Sequence, residues 1–464
     1  MTQDEGRRHL ILYDKNIYKG LLLLSLPLML NNLIKTLHDI VDMYFVGQID
    51  GFAEQSINAI QLTFPVMFTF ISLGIGLSVA GTALISQYVG ASKFETARKY
   101  ATQLLVFSFL LGLILNVLAF LSADSIMTLM GIKDYEFIES VKYIRIRSFE
   151  LPVVFMFFAF SAIRQSTGDT ITPLVFGLIT IFLNIILSWL FIEYFSLGVS
   201  GAAYATLVAN VSILPLGVRY LLFAKNGVRI SLRYLKPDLL VFRNITIIAV
   251  PAAFGQAITA IGFGVMNSII YGFGTMTVAA FGIGNRLSSM ILHPVMAIGG
   301  VISSYIGQNI GNENIPRAKE TFRKGMRLSV FLMMIGALSV LPFREDFAKI
   351  FLEDEQAISL ATEYMFYLLI GLPLMAIFQT FIGTFNGTGN TRFTFIISVT
   401  RLWLLRVPTI LIFREYTNLG SSGVWYAMLI SNFVIAFVGF TLYSRVDFKP
   451  KIKERKVRKL VLET

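Results

Sequence analysis

The chain has 464 residues, of which 55% are hydrophobic and only 14% charged, and its mean hydropathy is +0.70. A soluble domain carries about a quarter charged residues, so a soluble fold is excluded. With no cysteine, a disulfide framework, a thiolate metal site and a thiol nucleophile are excluded as well, and the formal charge of +11 means nothing until the basic residues are placed.

The first segment, 1–17, is polar and has no short apolar core followed by a small-residue cleavage site, so the first span itself is expected to direct insertion. A helix crosses the hydrocarbon with about 20 mostly apolar residues. Such runs start near residues 18, 56, 100, 142, 172 and 198 and, after a basic stretch, near 244, 277, 325, 361, 392 and 420. The reading is an all-α polytopic membrane protein of twelve transmembrane helices: an amino-terminal lobe over 18–223, a basic linker over 224–242, a carboxy-terminal lobe over 243–445 and a basic tail over 446–464. Pro27, Pro65, Pro152, Pro251, Pro294 and Pro373 interrupt spans, which is tolerated where neighbouring helices satisfy the freed backbone groups. No loop is long enough for a separate soluble domain.

Basic residues orient the spans. With the amino terminus inside, 28 of the 39 Lys and Arg fall in cytoplasmic segments, seven in outer segments and four, Lys35, Arg286, Arg401 and Arg406, within spans. Both termini are therefore expected in the cytoplasm, and the tail KPKIKERKVRK reads as an anchor on anionic lipid and not as a nucleic-acid arm.

An internal repeat is visible. Gln87–Lys99 (QYVGASKFETARK) recurs at a shift of 221 as Gln308–Glu320 (QNIGNENIPRAKE), and Leu151-Pro152 with Thr167-Gly168-Asp169-Thr170 recurs as Leu372-Pro373 with Thr388-Gly389-Asn390-Thr391. Gly201, Tyr204-Ala205 and Asn210 recur at 222 as Gly423, Tyr426-Ala427 and Asn432. Six spans per half return the chain to its starting side, so the halves should be related by a pseudo-twofold axis along the membrane normal.

Charge inside a membrane normally faces a wet cavity or a partner. At 100° per residue Asn31, Lys35, His38 and Asp42 lie within roughly 60° of one another, with Asp39 about 40° further round, so one face of the first span is polar. Lys35 and Asp39, four apart, admit mutual neutralisation as well as a functional role. Glu150 is expected to pair with Arg147 near the outer end of span four. In the second half Arg406 is expected to snorkel outward, Arg286 to hold helices together and Arg401 to meet an anionic group of a substrate. GFGTMTVAAFGIG and TGDT lack the Lys-Ser/Thr of a nucleotide loop, which disfavours an ATP-driven pump. Three histidines, no cysteine and no HExxH leave little for an intramembrane transferase or protease.

LHDIVDMYFVGQI, SQYVGASKFETARK, RQSTGDTITP and AAFGIGNRL, in this order and spacing within a twofold six-span repeat, resemble the multidrug and toxic compound extrusion (MATE) family over nearly the whole chain. The resemblance implies two six-helix lobes forming a V, alternating access, and export of small organic compounds driven by protons or sodium ions, without a cofactor or a metal. Asp42 falls where the DinF-like branch has its first-span carboxylate, and Asn184 and Thr206 fall on polar positions of that branch. Its fifth-span carboxylate is replaced by Ser188, and the acids of the NorM-like ion site by Thr259 and Asn390, so no second ion site is expected. Lys35, His38 and Asp39 stand where the family usually has uncharged residues and argue against a simple preference for lipophilic cations.

The ion-coupling set implied is Asp42, Asp39, Asn184, Ser188 and Thr206; the substrate set is Asn31, Lys35, His38, Asn210, Gln256, Arg286 and Arg401. Such a protein would act as a monomer in the plasma membrane, with small organic compounds and lipid as partners and no nucleic acid. A lipid-linked sugar flippase of the same superfamily is the alternative within transport.

Overall fold

A computed structural model describes residues 3–47, 49, 52–224 and 227–452, with side chains for all of these except 3–5, 36–40, 42 and 53. The apolar runs fold as helices in chain order: α1 (Gln3–Leu12), α2 (Ile17–Val46), α3 (Ala53–Gly90), α4 (Phe94–Leu129), α5 (Asp134–Ser148), α6 (Leu151–Ser166), α7 (Ile171–Ser188) and α8 (Gly198–Phe223) make the first half. The second holds α9 (Leu239–Tyr271), α10 (Thr275–Gly311), α11 (Ile315–Val340), α12 (Arg344–Lys349), α13 (Glu355–Gly387), α14 (Thr391–Val399), α15 (Val407–Tyr416) and α16 (Ser422–Ser444). Among the described residues 11 helical segments are long and apolar enough to cross a membrane, and α5 with α6, bent by 49° at their junction, makes the twelfth. The outward faces are oily: Leu113, Ile114, Val117, Leu118 and Leu121 of α4 are all exposed. That is the surface a bilayer solvates.

Two turns are π-helical, Trp189–Tyr194 after α7 and Thr400–Arg406 between α14 and α15, each in the fifth span of its half. α2, α3, α8, α9, α10 and α13 each carry a proline in their interior, and each remains one continuous helix. Gly168 and Gly389, the repeated glycines of TGDT and TGNT, have φ of +84° and +72°, a left-handed turn that a Cβ disfavours.

The halves interlock by their first helices. Ile17, Leu21 and Leu24 of α2 belong to the core built by α10, α11 and α13 of the second half, while Val241, Ile245, Ile248 and Ala249 of α9 belong to the core built by α3, α4 and α6 of the first. At the end that carries both chain termini, α3 and α10 meet through their repeated Gln-x-x-Gly ends. A Cβ on Gly90 would lie 2.0 Å from the Gln308 carbonyl oxygen, and one on Gly311 2.0 Å from that of Gln87, so only glycine permits this backbone approach.

Candidate functional site: the amino-terminal polar chain and its cavity

Within the first half a line of hydrogen bonds runs through otherwise apolar helices. Ser188 Oγ donates to Asn184 Oδ1 at 3.4 Å, Asn184 Nδ2 to Thr206 Oγ1 at 3.2 Å, and Asn210 Nδ2 to the Thr206 carbonyl at 3.0 Å and to Glu150 Oε1 at 3.0 Å. Glu150 Oε2 then meets Arg147 Nε at 2.6 Å, and Arg147 NH1 reaches the Tyr143 hydroxyl at 3.4 Å. The break between α5 and α6 places Glu150 at this position, with Pro152 just inside α6, where a missing N–H costs nothing. Asn184 and Ser188 are 1% exposed and Glu150 is 5%. A buried acid of this kind needs a cation and a donor, and it has both.

Asn184, Ser188 and Thr206 belong to the expected ion-coupling set and Asn210 to the expected substrate set, and the structure joins the four in one chain of hydrogen bonds. Sequence reasoning had also paired Glu150 with Arg147, as observed, but had not joined that pair to them. The missing signal was spatial, since Asn210 lies 60 residues from Glu150.

α2 packs against α7, the helix that carries Asn184 and Ser188, at Asn31. Asn31 Oδ1 would be 2.8 Å from a Cβ on Gly177 of α7. The side chains of His38, Asp39 and Asp42 lie outside the described residues. Lys35 is exposed, and the neighbouring Asn32 donates to the His293 carbonyl of α10 at 3.4 Å.

A cavity of about 530 Å³ opens between α2, α3, α5 and α8. Its walls are Met43, Phe64, Met67 and Phe68, with Gln61, Arg147 and Thr206 as polar points. Drug-sized ligands take cavities of about 300–1,000 Å³ with this mixture of apolar wall and few polar groups.

The family model MatE matches twice, over residues 27–190 and 251–412, one match in each half, each ending before the last span of its half. The chain belongs to the MatE family. "Probable multidrug resistance protein YoeA" of Bacillus subtilis (strain 168) is 26% identical over 417 residues, spanning 88% of this chain and 90% of that protein. Multidrug export protein MepA of Staphylococcus haemolyticus (strain JCSC1435) is 24% identical, spanning 93% of this chain and 94% of that protein. Among solved structures, MATE in complex with MaL6 superposes with a TM-score of 0.88 at 25% identity, over 96% of this chain and 98% of that one. A MOP superfamily transporter from Pyrococcus furiosus Vc1 (DSM3638) gives 0.86 at 25% identity, over 94% and 97%.

The second half of this MatE chain is built differently from the first. Thr259 Oγ1 donates to the Gly255 carbonyl at 2.6 Å and Asn390 Nδ2 to Thr388 Oγ1 at 2.9 Å and the Asp447 carbonyl at 3.0 Å; both are engaged in local structure. Gln256 is half-buried on α9. Arg286 is exposed on α10 and makes no hydrogen bond or ion pair among the described residues, which corrects the expectation that it ties helices together. Arg406 is a second correction: it does not snorkel but is 2% exposed, because the π turn directs it at Ser431 and Asn432. Arg401 is 4% exposed inside the same lobe, away from the amino-terminal cavity.

At the terminal end this MatE chain carries a network that sequence reasoning did not anticipate. Asp169 is fully buried and accepts from Arg164 Nε at 2.9 Å and Thr172 Oγ1 at 2.5 Å, with Arg7 of α1 at 3.2 Å. Burial opposes its ionisation, but Arg164, Thr172 and Arg7 outweigh burial and hold the carboxyl below the usual range. From α1, Arg8 reaches Ser92 Oγ at 2.6 Å, while the Ile11 and Asp14 carbonyls accept from Arg317 at 3.0 and 2.6 Å. The polar first segment is thus a helix that straps both halves together.

Proposed function

We propose that this chain is a secondary multidrug exporter, moving amphipathic small organic compounds out of the cell in exchange for protons or sodium ions by alternating access of its two halves. The observation that carries this reading is the amino-terminal cavity of about 530 Å³ beside a buried Glu150–Asn210–Thr206–Asn184 chain, in a protein whose relatives are named for multidrug export or resistance. An apolar wall with flexible Met and Phe suits compounds of varied shape. The adjoining polar chain and the α2 carboxylates Asp39 and Asp42 supply groups whose affinity for an ion can differ between two states, which coupling requires.

The coupling ion is handled in the amino-terminal half alone, in the manner of the DinF-like branch, with Asp42 as the principal carboxylate and Asp39, Asn184, Ser188 and Thr206 around it. Substrate meets Asn31, Lys35, His38 and Asn210, with Gln256 and Arg286 facing it from the second half. The protein works as a monomer in the plasma membrane with both termini cytoplasmic, in accord with the basic residues clustered at that end. In that orientation the α3–α10 contact and the α1 strap close the cytoplasmic side, so the state described is outward-facing.

The test is counterflow in proteoliposomes with a panel of cationic, zwitterionic and anionic dyes under imposed pH or sodium gradients. Gradient-dependent dye movement supports the reading. Movement indifferent to both gradients, or accumulation of lipid-linked sugar precursor in depleted cells with no dye transport, overturns it.

A further inference from the structure

Two arginines lie inside the second half with no acid paired to them among the described residues. Arg401 and Arg406 are 4% and 2% exposed. In an α-helix residues five apart diverge by about 140°. The π turn Thr400–Arg406 closes i to i+5 and turns both toward one chamber of about 90 Å³, shared with Asn285, Tyr364, Trp425 and Asn432. Arg406 donates through Nε to Ser431 Oγ at 3.0 Å and through NH2 to Asn432 Oδ1 at 2.8 Å. Arg401 has only the Met375 thioether, 3.0 Å from NH1, and the face of Phe378, 4.3 Å from its guanidinium carbon. Its Nε is buried with no acceptor.

Neutral oxygens, a thioether and a ring cancel no charge, and a guanidinium does not shed its proton. Unpaired buried charge is what folded interiors avoid, yet among the described residues no carboxylate pairs with either arginine. Further donors converge on the chamber. Tyr364 donates to Asn285 Oδ1 at 2.9 Å, which leaves the amide nitrogen of Asn285 as a donor.

We propose that this chamber is an anion site, holding a halide or a carboxylate group between Arg401 and Arg406. Its volume matches about three water-sized groups, enough for either. The internal repeat gives the proposal an independent footing. The shift of 222 that superposes Asn210 on Asn432 places Asn184 on Arg406. In the first half the repeated amide binds the acid Glu150, whereas in the second it binds the base Arg406. The repeated amide therefore meets an acid in one half and a base in the other, and the second half lacks the counter-charge that the first has in Arg147. This site lies inside one lobe and stands whether or not the export reading holds.

Purified protein in chloride-free gluconate buffer is titrated with chloride, bromide, acetate or octanoate, with melting temperature and tryptophan fluorescence as readouts. Trp425 stacks on Tyr364 at 4.2 Å beside the chamber, so bromide bound there quenches it. Wild type is expected to show a saturable rise of about 3 °C at a hundredfold excess over Kd and a saturable bromide quench, both lost in Arg401→Met. Responses to chloride and acetate alike mark a free-anion site; a response to octanoate without chloride marks the anionic group of an amphipathic compound, and both uphold the proposal. A wild-type quench linear in bromide with no thermal shift overturns it, irrespective of how the variant folds. So does an Arg401→Met protein that responds as wild type does.

Discussion

Replacing Gly90 by alanine tests whether the α3–α10 contact is the element that opens and closes. The new Cβ would stand 2.0 Å from the Gln308 carbonyl oxygen and 2.7 Å from its carbon, where an ordinary C···O contact is about 3.3–3.6 Å. The helices must therefore part by more than about 1 Å. Overpacking of this kind costs about 1–3 kcal/mol. If the contact exists only in the state closed at the terminal end, the whole cost falls on that state, and its population relative to the alternative drops about 5–150-fold. The chain has no cysteine, so Ser86→Cys gives a single thiol at a fully buried position of the same contact, beside Gly307. In membranes, its labelling by an impermeant maleimide from the side of the chain termini should speed up at least fivefold in Gly90→Ala. Gly311→Ala, which meets the Gln87 carbonyl in the reciprocal way, should do the same, and the double variant should give less than the sum because both strain one contact. Unchanged labelling together with a lowered melting temperature would refute the reasoning, since the strain would then fall on a contact that never opens.

Asp169→Asn should cost about 3 kcal/mol, because it leaves Arg164, buried at 1% exposure, without its carboxylate, and thermal unfolding in detergent checks this. The carboxyl is held below its unfolded value, so its stabilisation is complete above about pH 5 and is lost as pH falls through the folded value; Asp169→Asn should remove that acid-side loss. Glu150→Gln keeps an acceptor for Asn210 but strands the mostly buried Arg147, and transport should fall at least tenfold while protein levels stay normal. Thr259→Ala and Asn390→Ala should leave gradient-driven export within about twofold of wild type, since the hydroxyl and the amide bind a helix carbonyl, Thr388 and the Asp447 carbonyl and face no carboxylate among the described residues; loss of coupling at normal protein levels would reveal an ion site there.

The twelve spans, the repeat and its symmetry could be read from the sequence because each rests on a one-dimensional signal: apolar length, or a constant shift between motifs. Helix starts were less legible. The span expected near 325 begins at Ile315, since IPRAKETFRKGMR continues the helix while its side chains turn basic, and hydropathy records only the oily part. Arg406 was misplaced because snorkelling assumes α-helical geometry, and the π turn redirects the side chain. The α1 strap and the Asp169 network were invisible because their partners, Arg7 with Asp169 and Ile11 with Arg317, are separated by hundreds of residues or share no pattern. Asn184, Ser188 and Thr206 are legible through the family resemblance and Asn210 through the internal repeat, whereas the link to Glu150 depends on a bend that Pro152 suggests but does not locate.

Whether an ion gradient drives export through the amino-terminal half is measured most directly by dye transport of wild type and Asp42→Asn in proteoliposomes under an imposed pH gradient, with Asp39→Asn and a sodium gradient run alongside. Wild type should move dye only while a gradient is present. Asp42→Asn should insert and bind dye normally yet lose gradient-driven movement, and Asp39→Asn should be milder. Export by Asp42→Asn at the wild-type rate, with Asp39→Asn inactive, would contradict the assignment of coupling to Asp42, and dye movement independent of any gradient would contradict gradient-driven export itself.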